Sequence, residues 1–311
     1  MYKCLMMILF QDKIIYMPYM PPFARSERIE NHASACKPVE WKEETIRSLD
    51  RTKLSLCVGR LLNDQSGAEN GRDVAICYFQ GNGGSLPPRL PLLSSVLKAI
   101  NAYSASNKNN GKVRYTIYAL SYRGYWTSSG RATQSGIEKD AQALLQHLEQ
   151  NNKSKGGPDI ILWGQSIGAG VATTAAATYL NTISNGCSST KLKVRALVLE
   201  TPFLSTKNMV LALYPQKWLP YRYLSPFLWN RWDSEAALKT IAGNVKEKPH
   251  VLLVPATKDE LVPPEEGNKF ERLCRELGFD VVRKDVQGAL HNETTIRRDG
   301  QQAIAKFMAG I

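Results

Sequence analysis

The stretch Asp159–Ala172, DIILWGQSIGAGVA, constrains the fold more than any other part of this chain. Ile160-Ile161-Leu162-Trp163 is an apolar strand. It runs into a glycine-flanked serine, and small helix-forming residues follow from Ala172 to Leu180. A strand that turns abruptly into a helix puts Ser166 at the tip of the turn, in a strained backbone conformation. Any side chain at Gly164 or Gly168 would crowd such a turn. Gly164-Gln165-Ser166-Ile167-Gly168 therefore reads as an elbow that presents a hydroxyl. The five-residue pattern alone is common by chance; the strand before it and the helix after it carry the reading.

The rest of the chain alternates in the same way. Lys53–Arg60, Asp73–Phe79, Val113–Leu120, Val194–Leu199, Val251–Val254 and Asp280–Lys284 read as further strands. Helical periodicity covers Leu90–Ser104, Ser135–Gln150, Pro264–Leu277 and Thr294–Met308. Strands alternating with helices predict an α/β fold: a mostly parallel central sheet covered on both faces. The 311 residues, 43% of them hydrophobic, suffice for a large core. Residues 14–50 look irregular, because Pro18, Pro21, Pro22 and Pro38 break any long helix. Residues 203–245 carry Tyr214, Trp218, Tyr223, Phe227, Trp229 and Trp232 and read as a short cap over one end of the sheet. The expected organisation is an N-terminal segment, 1–50, and one domain, 51–311, with a cap-like excursion at 203–245.

The formal net charge of +12 suits an anionic membrane surface or an acidic partner. The basic residues are dispersed and form no nucleic-acid module, so no nucleic-acid partner is expected. The six cysteines show neither C-x-x-C pairing nor metal-type spacing with histidine, which favours a reduced compartment and no metal. Asn152-Lys153-Ser154 is a glycosylation triplet of a kind common by chance. Cys4–Phe10 is apolar but far shorter than the roughly 20 residues that span a bilayer. It reads as a shortened anchor, an interfacial segment or one end of an amphipathic helix.

A serine hydroxyl needs a base. The chain has four histidines, so elimination works. His32 lies in the irregular lead-in, His147 within a helix, and His250 at the opening of a strand. His291 alone follows the last strand, at the carboxyl edge where such sheets bind ligands. Asp259, in the loop after Val251–Val254, is the favoured carboxylate to orient it; adjacent Glu260 and strand-ending Glu200 compete. An oxyanion needs backbone N–H donors. Ile167, just after the serine, supplies one. The glycine turn after Asp73–Phe79 supplies the other, from Asn82 or, next, Gly83, unless that turn is merely structural.

These residues resemble the α/β-hydrolases of the bud-emergence type, relatives of membrane-anchored abhydrolase-domain serine hydrolases. The similar pieces occur in order: IYMP (15–18), YFQGNGG (78–84), SYRGYWTSSG (121–130), GQSIGAG (164–170), LETPF (199–203), RWDS (231–234), KDELVPP (258–264) and LHNET (290–294). The chain order Ser166, Asp259, His291 is that of the α/β-hydrolase fold. The resemblance implies a Ser-His-Asp triad, no metal, no organic cofactor and an N-terminal membrane anchor, present here in shortened form. Family members usually carry histidine where Gln80 stands and glycine where Trp126 stands. Arg123 in SYRGY and the RWDS piece are expected to be structural.

The implied activity is cleavage of an ester or thioester of an apolar acyl chain, as in carboxylesterases, lipases or acyl-protein thioesterases. The substrate would be a lipid or a lipidated protein. The aromatic excursion would line the acyl site, or simply pack a cap. The alternative is a catalytically silent scaffold that binds a lipid or protein partner at a membrane. Membrane association is the expected location, or the cytoplasm if the short apolar segment is no anchor.

Overall fold

The computed structural model describes residues 2–62, 71–106, 113–151, 157–186, 192–213, 216 and 220–311. The Asn152 triplet, Cys187, Tyr214 and Trp218 lie outside them. Helices α1 (Tyr2–Leu9), α2 (Gln11–Ile15) and α3 (Ala33–Cys36) precede the sheet. There follow β1 (Val39–Arg47), β2 (Lys53–Leu61), β3 (Arg72–Phe79), α4 (Leu90–Ser106), β4 (Val113–Leu120), α5 (Gln134–Asn151), β5 (Asp159–Gln165) and α6 (Ile167–Ser184). The chain ends with β6 (Lys193–Glu200), α7 (Thr206–Leu213), α8 (Ser234–Asn244), β7 (His250–Val254), α9 (Pro264–Glu276), β8 (Val281–Arg283) and α10 (Arg298–Gly310).

The eight strands form one sheet in the order β1-β2-β4-β3-β5-β6-β7-β8. Pairing is antiparallel from β1 to β2 and from β2 to β4, and parallel from β4 to β8. β5 is buried along its whole length. Side chains on a strand alternate between faces, so Ile160 and Leu162 join one core layer while Ile161 and Trp163 join the other. The first layer is closed by α5, α6, α8 and α9, through residues such as Leu144, Ala172, Leu238 and Phe270. The second is closed by α4 and α10, through Leu93, Leu97, Ile304 and Met308. A sheet apolar on both faces needs both layers.

Three expectations change. The lead-in is not irregular up to residue 50: Val39–Arg47 is a sheet strand, paired in register with Lys53–Leu61. Only Val39, Trp41 and Ile46 are buried along it, and an edge strand with charged residues on its open side hides its alternation. The last helix begins at Arg298, not Thr294, because the Thr294 and Thr295 hydroxyls are drawn to Glu200. Within 203–245, α8 is a layer helix that packs on α6 through Ala237, Leu238 and Ile241.

The N-terminal segment crosses the carboxyl edge of the sheet. Tyr16 is buried; its hydroxyl donates to Asn230 Oδ1 at 2.9 Å and accepts from Trp232 Nε1 at 2.9 Å. The Met17 N–H donates to the Asn82 carbonyl at 3.0 Å. Arg123, buried beneath the same end, ties Asp140 (2.7 Å) to Asp50 (2.8 Å).

Candidate active site

Ser166 stands between β5 and α6 with φ 55° and ψ −120°, a conformation L residues avoid. The strain is held by neighbours. Its N–H donates to the Glu200 carbonyl at the end of β6, 2.9 Å away. A Cβ on Gly164 would lie 2.1 Å from the Gly168 carbonyl oxygen, and one on Gly168 would lie 2.1 Å from that of Phe79. Both contacts are with backbone, which cannot swing away.

His291 and Asp259 meet Ser166 from two different loops. His291 Nε2 lies 2.8 Å from Ser166 Oγ, and Nδ1 lies 2.9 Å from each Asp259 carboxylate oxygen. A carboxylate only accepts, so Nδ1 carries the proton; Nε2 of the neutral ring then accepts from the serine hydroxyl. Asp259 Oδ1 also accepts from the Leu261 and Val262 N–H groups at 2.9 and 2.7 Å, which fixes the carboxylate. Both side chains are 4% exposed, so little water competes for these bonds.

The rival carboxylates take other places. Glu260 accepts from the His291 backbone N–H at 2.9 Å and so holds the histidine loop rather than its ring. Glu200 is buried and accepts from Trp163 Nε1 at 2.6 Å and from the Thr294 and Thr295 hydroxyls. Burial pushes its carboxyl pKa up, while those three donors pull it down. The other histidines lie apart: His32 beside Glu27, His147 beside Glu44, and His250 beside Asp280.

The glycine turn after β3 faces the elbow. Gly81, Asn82 and Gly83 border the same cavity of about 310 Å³ as Ser166. Ile167 heads α6, so its N–H has no acceptor one turn back. The Asn82 N–H has no acceptor among the described residues, and its carbonyl is held by Met17 N–H and by the Tyr125 hydroxyl at 2.7 Å. Gln80, fully buried, donates from Nε2 to the Gly84 carbonyl at 3.4 Å.

Other walls of the cavity, Asn292 of the LHNET piece apart, carry no pattern in the sequence. Met20, Pro21 and Ala24 come from the N-terminal segment, and Ser85, Arg89 and Asn292 from loops beside the elbow. None of the described residues of the aromatic excursion borders it: Trp232 is core, and Tyr223, Phe227 and Trp229 are exposed. Trp126 is buried under the N-terminal segment, with Nε1 donating to the Glu27 carbonyl at 2.8 Å. Among the described residues no cluster of His, Cys, Asp and Glu could hold a metal ion, and no helix is long and apolar enough to cross a membrane.

Comparison with known proteins agrees with this architecture. Over 305 residues the chain is 29% identical to protein bem46 of Schizosaccharomyces pombe, covering 96% of this chain and 86% of that one. It is 27% identical over 267 residues to the alpha/beta hydrolase domain-containing protein WAV2 of Arabidopsis thaliana, covering 83% and 74%. Similarity to lysophosphatidylserine lipase ABHD12 of Danio rerio is 29% over 164 residues, covering 51% of this chain and 40% of that protein. A fungal esterase structure from Rhizomucor miehei superposes with a TM-score of 0.60 at 17% identity, covering 96% and 89%, a likeness of fold alone. Residues 74–242, just over half the chain, match the family described as alpha/beta hydrolase fold. With its eight-stranded sheet and strand–elbow–helix, this chain belongs to the α/β-hydrolase fold family.

Proposed function

We propose that the chain is a serine hydrolase that cleaves an ester or thioester of an apolar acyl group. The observation that carries this reading is the unbroken chain of contacts from Ser166 Oγ through His291 to Asp259. Ser166 Oγ attacks the acyl carbon and its proton passes to His291 Nε2. Asp259 stabilises the imidazolium. The carbonyl oxygen becomes an oxyanion that accepts from the N–H groups of Ile167 and Asn82, with Gly83 adjacent. The intermediate collapses, His291 returns the proton to the leaving oxygen or sulfur, and an acyl-enzyme remains. Water, deprotonated by His291, then releases the acid and restores Ser166. No step calls for a metal or an organic cofactor.

Met20, Pro21, Ala24 and Pro88 give the Ser166 cavity apolar walls, which favours an acyl chain. The lipase name of the Danio rerio relative favours a lipid substrate. Association with an anionic membrane belongs to the same reading: Leu5, Leu9, Phe10 and Phe23 of the N-terminal segment are exposed, on a chain of net charge +12.

The decisive experiment is labelling with a fluorophosphonate probe, followed by turnover on esters and thioesters of graded chain length. Wild-type protein should label at Ser166. Ser166→Ala should abolish labelling and reduce kcat by on the order of 10⁴-fold or more. Identical behaviour of the two proteins would sink the reading. Carbonate extraction tests location: salt-sensitive release indicates a surface held by charge, and release from membranes without salt or carbonate counts against association.

A further inference from the structure

The cavity beside Ser166 has a charged wall that the hydrolytic relay does not use. Arg89 borders it, and its guanidinium is held in place by two hydrogen bonds. One nitrogen donates to Gln165 Oε1 at 2.7 Å and another to the Gly83 carbonyl at 3.2 Å. The Tyr78 hydroxyl stands beside it. These contacts leave donors over, since a guanidinium carries five N–H groups. Arg89 forms no ion pair among the described residues. A fixed, half-buried cation with no carboxylate in ion-pair contact among the described residues is poised for an anion from outside.

A second observation points the same way. Ser85 borders the same cavity, is 3% exposed, and its Oγ has no hydrogen-bond partner among the described residues. Leaving a buried hydroxyl unpaired is costly, and a bound acceptor would recover that cost. Two carboxylates limit the charge such a site accepts. Glu27 borders the cavity but turns to His32 Nε2, 3.4 Å away, and Glu200, which also feels Arg89, is sealed in the core. Arg89 is therefore the positive charge on this wall that no carboxylate touches among the described residues.

We propose that Arg89 and Ser85 form an anion subsite beside Ser166 that selects acyl esters carrying a carboxylate or phosphate close to the cleaved bond. The planar guanidinium presents paired donors to either oxyacid, and the Ser85 hydroxyl supplies a third. This rests on Ser166 being the nucleophile and adds which substrates reach it.

The test uses three lauroyl esters with one acyl chain: of glycerol, of glycerol 3-phosphate and of glycerate. The reading is the ratio of kcat/KM for each charged ester to that for the glycerol ester. Wild-type protein should favour at least one charged ester, and which one identifies the oxyacid. Arg89→Gln should lower that ratio about tenfold or more, the effect of losing a charge-assisted hydrogen bond. Ser85→Ala should lower it severalfold, and Arg89→Lys should keep part of it. A wild-type ratio of one or less, or a ratio that Arg89→Gln does not move, overturns the subsite.

Fluorophosphonate labelling of each variant reports whether the elbow is intact. Wild-type protein that does not label would defeat the hydrolase reading rather than the subsite. The subsite is then judged by inorganic phosphate and acetate, added separately to wild-type, Ser166→Ala and Arg89→Gln proteins. At least one should raise Tm in the first two and less in the third, because a ligand bound to the native state stabilises it. Equal shifts in all three overturn the proposal. If Arg89→Gln does not fold, Ser85→Ala stands in its place in both measurements.

Discussion

A methyl group on Gly168 would meet the Phe79 carbonyl oxygen at 2.1 Å and that of Gln80 at 2.6 Å, so Gly168→Ala must separate α6 from β3. The expected outcome is loss of fluorophosphonate labelling even where circular dichroism still shows a folded protein. Asp259→Asn keeps the shape but offers the wrong group to Nδ1–H, and should lower kcat by about 10⁴-fold; Glu260→Gln should cost far less, since Glu260 meets only the His291 backbone. Kinetics of the two variants on one ester would decide. Glu200 gives a prediction with a defined pH sign. Its pKa is raised by burial and held back by Thr294, Thr295 and Trp163. Removing a donor, as in Thr294→Val, raises the folded-state pKa further. The resulting loss, about 1–3 kcal/mol, should be full above the folded-state pKa and shrink as pH falls below the carboxylate range, where Glu200 is protonated in folded and unfolded chains alike. Urea titrations at the two pH values measure it. Ser166, Asp259 and His291 could be picked from the sequence because a motif, a chain order and elimination among few histidines single them out. Arg89 and Ser85 could not, because each is a lone residue whose meaning depends on a cavity wall.

At the scale of elements, β1 is the instructive case. Val39, Trp41 and Ile46 are buried, but Lys42, Glu43, Glu44 and Thr45 between the last two are exposed and break the period of two. What identifies β1 as a strand is tertiary: Trp41 packs in the second core layer and its Nε1 donates to Ser94 Oγ on α4 at 2.8 Å. Trp41→Ala should therefore destabilise the protein by about 3–5 kcal/mol, read from the urea midpoint, although the residue sits on an edge strand. The inner strands were legible because burial on both faces demands unbroken apolar runs such as Ile160–Trp163. The aromatic excursion left two readings open for the converse reason. Aromatic residues mark packing as readily as pockets, and Trp232 fills the core behind the elbow helix.

At the scale of the whole molecule, the Asp50–Arg123–Asp140 cluster joins the turn after β1 to α5. Arg123, and next Thr52, hold the Asp50 carboxyl well below the usual carboxylate range. A depressed pKa stabilises above the unfolded-state value and loses that contribution as pH falls through the folded one. Arg123→Gln should thus lower Tm at neutral pH and flatten its fall in acid. Burial likewise pushes the thiols of Cys57 and Cys77 up and that of Cys274 to about 12. Alkylation followed by mass spectrometry should modify Cys4 well before those three in native protein.

The path of the N-terminal segment has one more consequence. Tyr16 is locked to Asn230 and Trp232, Met17 grips the Asn82 carbonyl, and Met20, Pro21 and Ala24 wall the serine cavity. A surface that α1 and α2 came to rest on would thereby lie on the side from which Ser166 is reached. The segment and the doorway share one face, so a shift of the first would carry the Asn82 peptide with it and reshape the second.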